Sequence, residues 1–86
     1  NIALNFLGSS TSDVDLVTDS GKVTINVVDE TYFKSTATDS ETNSLLEDDK
    51  IEVNIGEYTN KNPLIIGSGG ADISIFTGGR VTYNKI

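Results

Sequence analysis

Alternation of apolar and polar residues with a period of two constrains this chain more than any other feature. The runs 22–27 and 51–55 read KVTINV and IEVNI, so every second side chain is a valine or an isoleucine. Successive side chains of a β-strand point to opposite faces, so the pattern predicts strands with one buried face. No segment shows the 3.6-residue period of an amphipathic helix, and we expect an all-β fold.

Further strands follow from weaker signals. Shorter ones are predicted at residues 2–7, 14–18, 32–37 and 64–66, and Asp19-Ser20-Gly21 predicts a tight turn. Residues 71–75 and 80–84 predict a hairpin, because the intervening Gly78-Gly79 supplies the positive φ of a type I′ turn. About seven or eight strands at this spacing predict a small antiparallel, immunoglobulin-like β-sandwich.

The chain length of 86 residues predicts a single domain, residues 1–86, with a thin core. There is no Cys and no His, which excludes disulfides and Cys/His zinc sites. Stability must therefore come from sheet packing, a partner or an oligomer. Residues 38–50 form the one long interruption, in which Leu45 and Leu46 are expected to fold in as a plug or one helical turn.

The charge balance argues against nucleic acid and against anionic lipid. Six Lys and Arg face thirteen Asp and Glu, a formal charge of -7. Phosphate partners require clustered basic side chains, which this chain lacks. The abundance of Ser, Thr and Asn is common on exported β proteins and favours an extracytoplasmic location at the cell surface.

The residue inventory predicts a non-catalytic protein that needs no cofactor. Without His and Cys, the commonest general base and the thiol nucleophile are absent, and neither Gly-x-Ser-x-Gly nor Ser-x-x-Lys occurs. Residues 67–70 read GSGG but lack the Lys-Ser/Thr of a phosphate-binding loop. Asp13, Asp15 and Asp19 are the best Ca²⁺ candidates; their spacing fits no EF-hand, so we interpret them as solvated charges and predict no metal site.

Two surface regions and one strand are candidates for binding a protein partner. The acidic turn Glu47, Asp48 and Asp49 is one, and Tyr58, in a polar turn, is another, whereas the remaining aromatic residues are expected in the core. The terminal strand 80–86 is predicted to be an exposed sheet edge, with Val81 and Tyr83 available for a partner or for self-association.

The ends of the sequence suggest a larger protein. No apolar run approaches the ~20 residues of a membrane helix, no signal peptide is present, and the chain begins at Asn1 without Met. We expect it to be the soluble part of a longer membrane-anchored or exported protein, attached to a membrane only through a segment outside this sequence.

The second half of the chain resembles archaellin-like β-sandwich domains of archaeal filament subunits and of the archaellum stator proteins F and G. The resemblance runs from Leu45-Leu46 and a charged turn into the strand 51–55, and then into the terminal pair of strands after Asp72. The Pro-Gly common in that family's turn is replaced by Asp48-Asp49, and no Asn-x-Ser/Thr glycosylation site is present. The resemblance implies a location just outside the membrane and contacts with surface-layer protein or sister subunits.

Two functions follow from these observations. The first is a structural domain that anchors or assembles a cell-surface machine or filament, with a role in archaeal motility if the resemblance holds. The alternative is a carbohydrate- or Ca²⁺-binding module of a bacterial or viral surface protein.

Overall fold

The strands lie close to where the alternating pattern predicts them. The computed structural model describes residues 1–6, 13–28, 32–67 and 70–86. Within these ranges the chain has no α-helix, and no helix is long and apolar enough to cross a membrane. The elements are β1 (Ile2–Phe6), β2 (Val14–Val17), β3 (Val23–Val27), β4 (Phe33–Thr38), a 3-10 turn (Asp48–Lys50), β5 (Ile51–Asn54), β6 (Leu64–Ile66), β7 (Ala71–Phe76) and β8 (Val81–Lys85).

The eight strands form two four-stranded sheets. The first sheet has the order β1-β3-β8-β5 and the second β2-β7-β4-β6. Five of the six strand pairs are parallel, and only β4 and β6 pair antiparallel. The all-β, two-sheet prediction is confirmed, but the antiparallel, immunoglobulin-like pairing is wrong for all pairs except this one.

The connections explain the parallel pairing. Consecutive strands such as β2 and β3, or β7 and β8, belong to different sheets and face each other across the core. Only four residues, 77–80, join β7 to β8, enough to cross the ~10 Å between sheets but too few to run back along a strand. The strands of one sheet therefore run in the direction opposite to those of the other sheet, except for β6. When the chain returns to a sheet, the new strand is parallel to the strands already in it.

The turn at Gly78 and Gly79 is an arch between the sheets, so the predicted hairpin is wrong. Neither glycine has the positive φ of a type I′ turn. Glycine is needed at position 79 for a different reason: a Cβ there would lie 2.6 Å from the Ser20 carbonyl oxygen. The buried Thr77 hydroxyl joins the two arches, because it donates to the Gly21 carbonyl at 2.7 Å and accepts from the Gly79 N–H at 3.0 Å.

The core lies between the sheets and contains the inward side chains of both. The predicted inward residues Ile51, Val53 and Ile55 are buried, as are those of β3 and β7. At the centre, the rings of Phe33 and Tyr83 stack with their centroids 6.1 Å apart. Of the predicted plug, Leu46 is buried and Leu45 is exposed, and the 3-10 turn follows them.

The terminal strand is a central strand, so its prediction as an edge is wrong. β8 lies between β3 and β5, and both Val81 and Tyr83 are buried. The alternating pattern of β8 resembles that of an edge strand because its outer face, with Thr82 and Asn84, is polar. A proline at position 81 would therefore damage the centre of the first sheet rather than an edge.

Candidate interaction surface

The two ends of the sandwich are built differently. Short arches join β2 to β3 and β7 to β8, and they fix how the two sheets face each other. As a result β1 and β2 share one end of the sandwich, and β5 and β6 share the other. We call the β1/β2 end the open end and the β5/β6 end the capped end.

At the capped end, two asparagine side chains take the place of a further strand. Asn60 Oδ1 accepts the outward-pointing Val53 N–H at 2.8 Å. Asn62 accepts the Ala37 N–H at 2.9 Å and donates to the carbonyl oxygens of Ala37 and Leu46 at 2.8 and 2.9 Å. The outward N–H of Val53 on β5, and the N–H and C=O of Ala37 on β4 beyond the end of β6, are therefore already bonded and cannot recruit another chain. Neither asparagine carries a local sequence pattern that predicts this role.

At the open end, the hydrophobic core is incomplete. The apolar side chains on the inner face of β1 and β2 are only partly buried, whereas those of β5 and β6 are buried. On the outer face of β2, Val17 is 70% exposed. Among the described residues no strand pairs with the outer edge of β1 or of β2. The partly buried side chains are Ile2, Leu4, Val14 and Leu16.

The backbone groups of the open end point away from the molecule at every second residue. The Ile2 N–H donates to the Lys22 carbonyl at 2.9 Å, and the Thr18 N–H donates to the Phe76 carbonyl at 2.9 Å. The backbone N–H and C=O groups of successive residues point to opposite edges of a strand. Since those of Ile2 point towards β3, those of Ala3 and Asn5 on β1 face outward. The same holds for Asp15 on β2. Both edges are therefore available for strand addition.

A row of asparagines crosses the outer face of the first sheet and ends at the open edge. Asn54, Asn84, Asn26 and Asn5 occupy the same register on its four strands. Each Nδ2 donates to the next Oδ1 in the direction of β1, at 2.9, 3.3 and 3.0 Å. The Asn5 amide accepts at its oxygen, and its NH₂ has no acceptor among the described residues. The sequence signal was an Asn after an apolar residue in all four strands.

The sequence-predicted site residues lie in three different places. Glu47, Asp48 and Asp49 are exposed at the 3-10 turn before β5, and Tyr58 follows β5 at its other end, so the structure does not bring these groups together. Val81 and Tyr83 are buried in the central strand and present no side chain to a partner.

Tyr58 borders a surface cavity at the capped end. Its ring is 43% exposed, and its hydroxyl oxygen accepts the Gly67 N–H at 3.2 Å. The cavity has a volume of about 310 Å³ and is lined by residues 57–59, 61 and 63–65. The lining combines an aromatic ring with the charged side chains of Glu57 and Lys61.

The candidate Ca²⁺ ligands have separate structural surroundings. Asp13 Oδ1 accepts the Asp72 N–H at 3.1 Å, and Asp15 is exposed on the outer face of β2. In the described part of the chain, no three Asp or Glu side chains are grouped closely enough to hold a metal ion.

Among the described residues, a clear pKa shift occurs in the core, at Tyr83, away from these surfaces. Burial raises the pKa of Tyr83 to about 12, and the hydrogen bond with Ser35 lowers it by a smaller amount. The two hydroxyl oxygens are 2.6 Å apart. This pair is enclosed in the core, so we assign it to stability.

Comparisons with known proteins give no further guide. No family model matches the chain, and no curated protein or solved structure matches it.

Proposed function

We propose that this chain is a non-catalytic structural domain that assembles with other protein through the open end of its sandwich. One observation carries the proposal: the two ends differ. At the capped end the inner-face side chains are buried and Asn60 and Asn62 bond outward backbone groups. At the open end the inner-face side chains are only partly buried, and the two strand edges have no strand partner among the described residues. Accessible strand edges and partly buried apolar groups are what strand addition by a partner requires.

The parallel pairing supports the proposal. All-parallel sheets are normally covered on both faces. In the described ranges no helix and no further strand lies on the outer face of either sheet. Exposed parallel sheets are characteristic of solenoid-like β architectures, in which neighbouring units complete one another and terminal units are capped.

The proposal extends to an extracytoplasmic location at the cell surface. It is supported by the surface rich in Ser, Thr and Asn and by the net charge of -7. The archaellin-like resemblance adds a more specific version, an anchoring or filament component of the archaellum that contacts surface-layer protein or sister subunits.

Site-specific photo-crosslinking tests the proposal in cells that naturally produce the chain. A photoreactive amino acid replaces Ala3 at the open end, and the matched control replaces Glu52, an exposed residue of β5 at the capped end. We expect a protein adduct of increased mass from position 3 and none from position 52. Equal adduct formation at both positions, or none at either, would contradict the proposal.

Carbohydrate binding is the second candidate, and the cavity beside Tyr58 favours it. A half-exposed tyrosine flanked by Glu57, Thr59 and Lys61 offers a stacking surface with polar groups at its rim. A glycan array with the native chain and with Tyr58→Ala tests this candidate. We expect binding by the native chain that Tyr58→Ala abolishes, and an array without binding would exclude it.

A further inference from the structure

We propose that the partner at the open end is the open end of a second copy of this chain, with β1 of each copy paired to β2 of the other. This inference rests on the proposed function and specifies its partner. It accounts for three features at once: two strand edges, an incomplete core and an unused amide donor.

The directions of the strands make the open end self-complementary. β1 and β2 run in opposite directions, because the sheets to which they belong do. A two-fold axis parallel to the strands preserves their direction and exchanges the sheets. β1 therefore meets β2 of the second copy in antiparallel orientation, and the same pairing occurs twice. Each sheet of four strands continues into a sheet of the second copy.

One register satisfies both the backbone and the side chains. Placing Ala3 opposite Asp15 of the second copy aligns residues whose N–H and C=O groups both point outward. Ile2 then lies opposite Leu16, and Leu4 opposite Val14, all on the inner face. Contact between these four partly buried side chains and their equivalents would extend the core without interruption and exclude water from it.

The charge distribution favours pairing of β1 with β2 of the second copy over pairing of each strand with its own equivalent. β1 carries no charged side chain, whereas Asp15 lies on the outer face of β2 and the exposed Asp13 directly precedes this strand. Pairing β2 with its own copy would bring these carboxylates together in a chain of net charge -7. The proposed register places Asn5 opposite Asp13, so the unused Asn5 amide can donate to the carboxylate oxygen not engaged by the Asp72 N–H.

Sedimentation velocity of the purified chain over a range of concentrations tests the association. We expect a reversible dimer. Ala3→Pro removes one outward N–H and no hydrogen bond to β3, so it should weaken dimerisation by roughly tenfold or more, since each dimer loses two bonds. Ala3→Val keeps the N–H and is the matched control, with dimerisation close to that of the native chain. A cooperative melt of both variants at low concentration verifies the fold.

Cysteine pairing tests the register, because the native chain has no cysteine. A mixture of Ala3→Cys and Asp15→Cys should form a disulfide-linked dimer on mild oxidation, and neither variant should do so alone. A disulfide in Ala3→Cys alone would show β1 paired with β1, and one in Asp15→Cys alone β2 with β2; either result overturns the inference.

Failure of this inference is distinguishable from failure of the proposed function. A native chain that stays monomeric at every concentration overturns self-association. If position 3 still crosslinks in cells to a different protein, identified by mass spectrometry, the proposed function stands and only the second copy is wrong. If neither assay shows a partner, both are wrong.

Discussion

The substitution Tyr83→Phe removes a single oxygen atom from the centre of the core and leaves the aromatic ring against Phe33. Tyr83 and Ser35 are almost completely buried, and their hydroxyl oxygens are 2.6 Å apart. The substitution leaves the Ser35 hydroxyl without its partner, at a cost of about 1–3 kcal/mol of unfolding free energy. For a domain of this size, a loss of about 2 kcal/mol lowers Tm by roughly 8–16 °C.

The double variant Tyr83→Phe/Ser35→Ala identifies the cause of that loss. Removing both hydroxyls leaves no buried group unsatisfied, so the double variant should be more stable than Tyr83→Phe and within about 1 kcal/mol of the native chain. Urea unfolding followed by circular dichroism measures the free energy of unfolding of the native chain, of Tyr83→Phe, of Ser35→Ala and of the double variant. If Tyr83→Phe is neutral, or if the double variant is destabilised by the sum of the single losses, the reasoning from the unsatisfied hydroxyl is wrong.

The same hydroxyl predicts a pH dependence. Burial raises the pKa of Tyr83 to about 12 in the folded chain, against about 10 in an unfolded one. The folded state therefore favours the neutral phenol, whose contribution is fully present below pH ~10 and is lost as the pH rises to ~12. Two pKa units correspond to about 3 kcal/mol. The stability advantage over Tyr83→Phe should shrink across this range, and a constant difference would contradict the pKa argument.

Substitutions at three further places test the core, the capped end and the asparagine row. Val53→Asp should abolish cooperative melting because it buries an unpaired carboxylate; a retained transition would show that the inward register of β5 is wrong. Asn62→Ala loses three hydrogen bonds and should cost about 2–4 kcal/mol in urea unfolding. Asn62→Asp should not recover this loss, because a carboxylate oxygen in place of Nδ2 would face the carbonyl oxygens of Ala37 and Leu46; an unchanged midpoint of either variant would refute the cap. Asn26→Ala breaks two links of the row and should cost about 1 kcal/mol. Asn54→Ala should cost less, because it breaks one link and an exposed 3.3 Å bond to Glu52; equal costs would contradict this prediction.

The arrangement of the site required the tertiary structure, although its residues were visible in the sequence. Val14 and Leu16 were recognised as strand residues, but nothing local shows that their strand lies at an edge. The edge prediction for Arg80–Ile86 failed because β8 enters between β3 and β5, whose residues are distant along the chain. The capping role of Asn62 likewise depends on groups of β4 and of Leu46, which only the fold brings to it.

The sequence by itself determined where the strands lie and which of their faces are buried, because a period of two places alternate side chains on opposite sides of any strand. It also excluded disulfides and Cys/His zinc sites, since the residues they need are absent. The tertiary structure alone decided which strands pair, in which direction, and which edges stay open. Parallel and antiparallel strands have the same alternation of side chains. They differ in the hydrogen bonds between backbone N–H and C=O groups, and every residue except proline has both groups, so the side-chain pattern does not distinguish them.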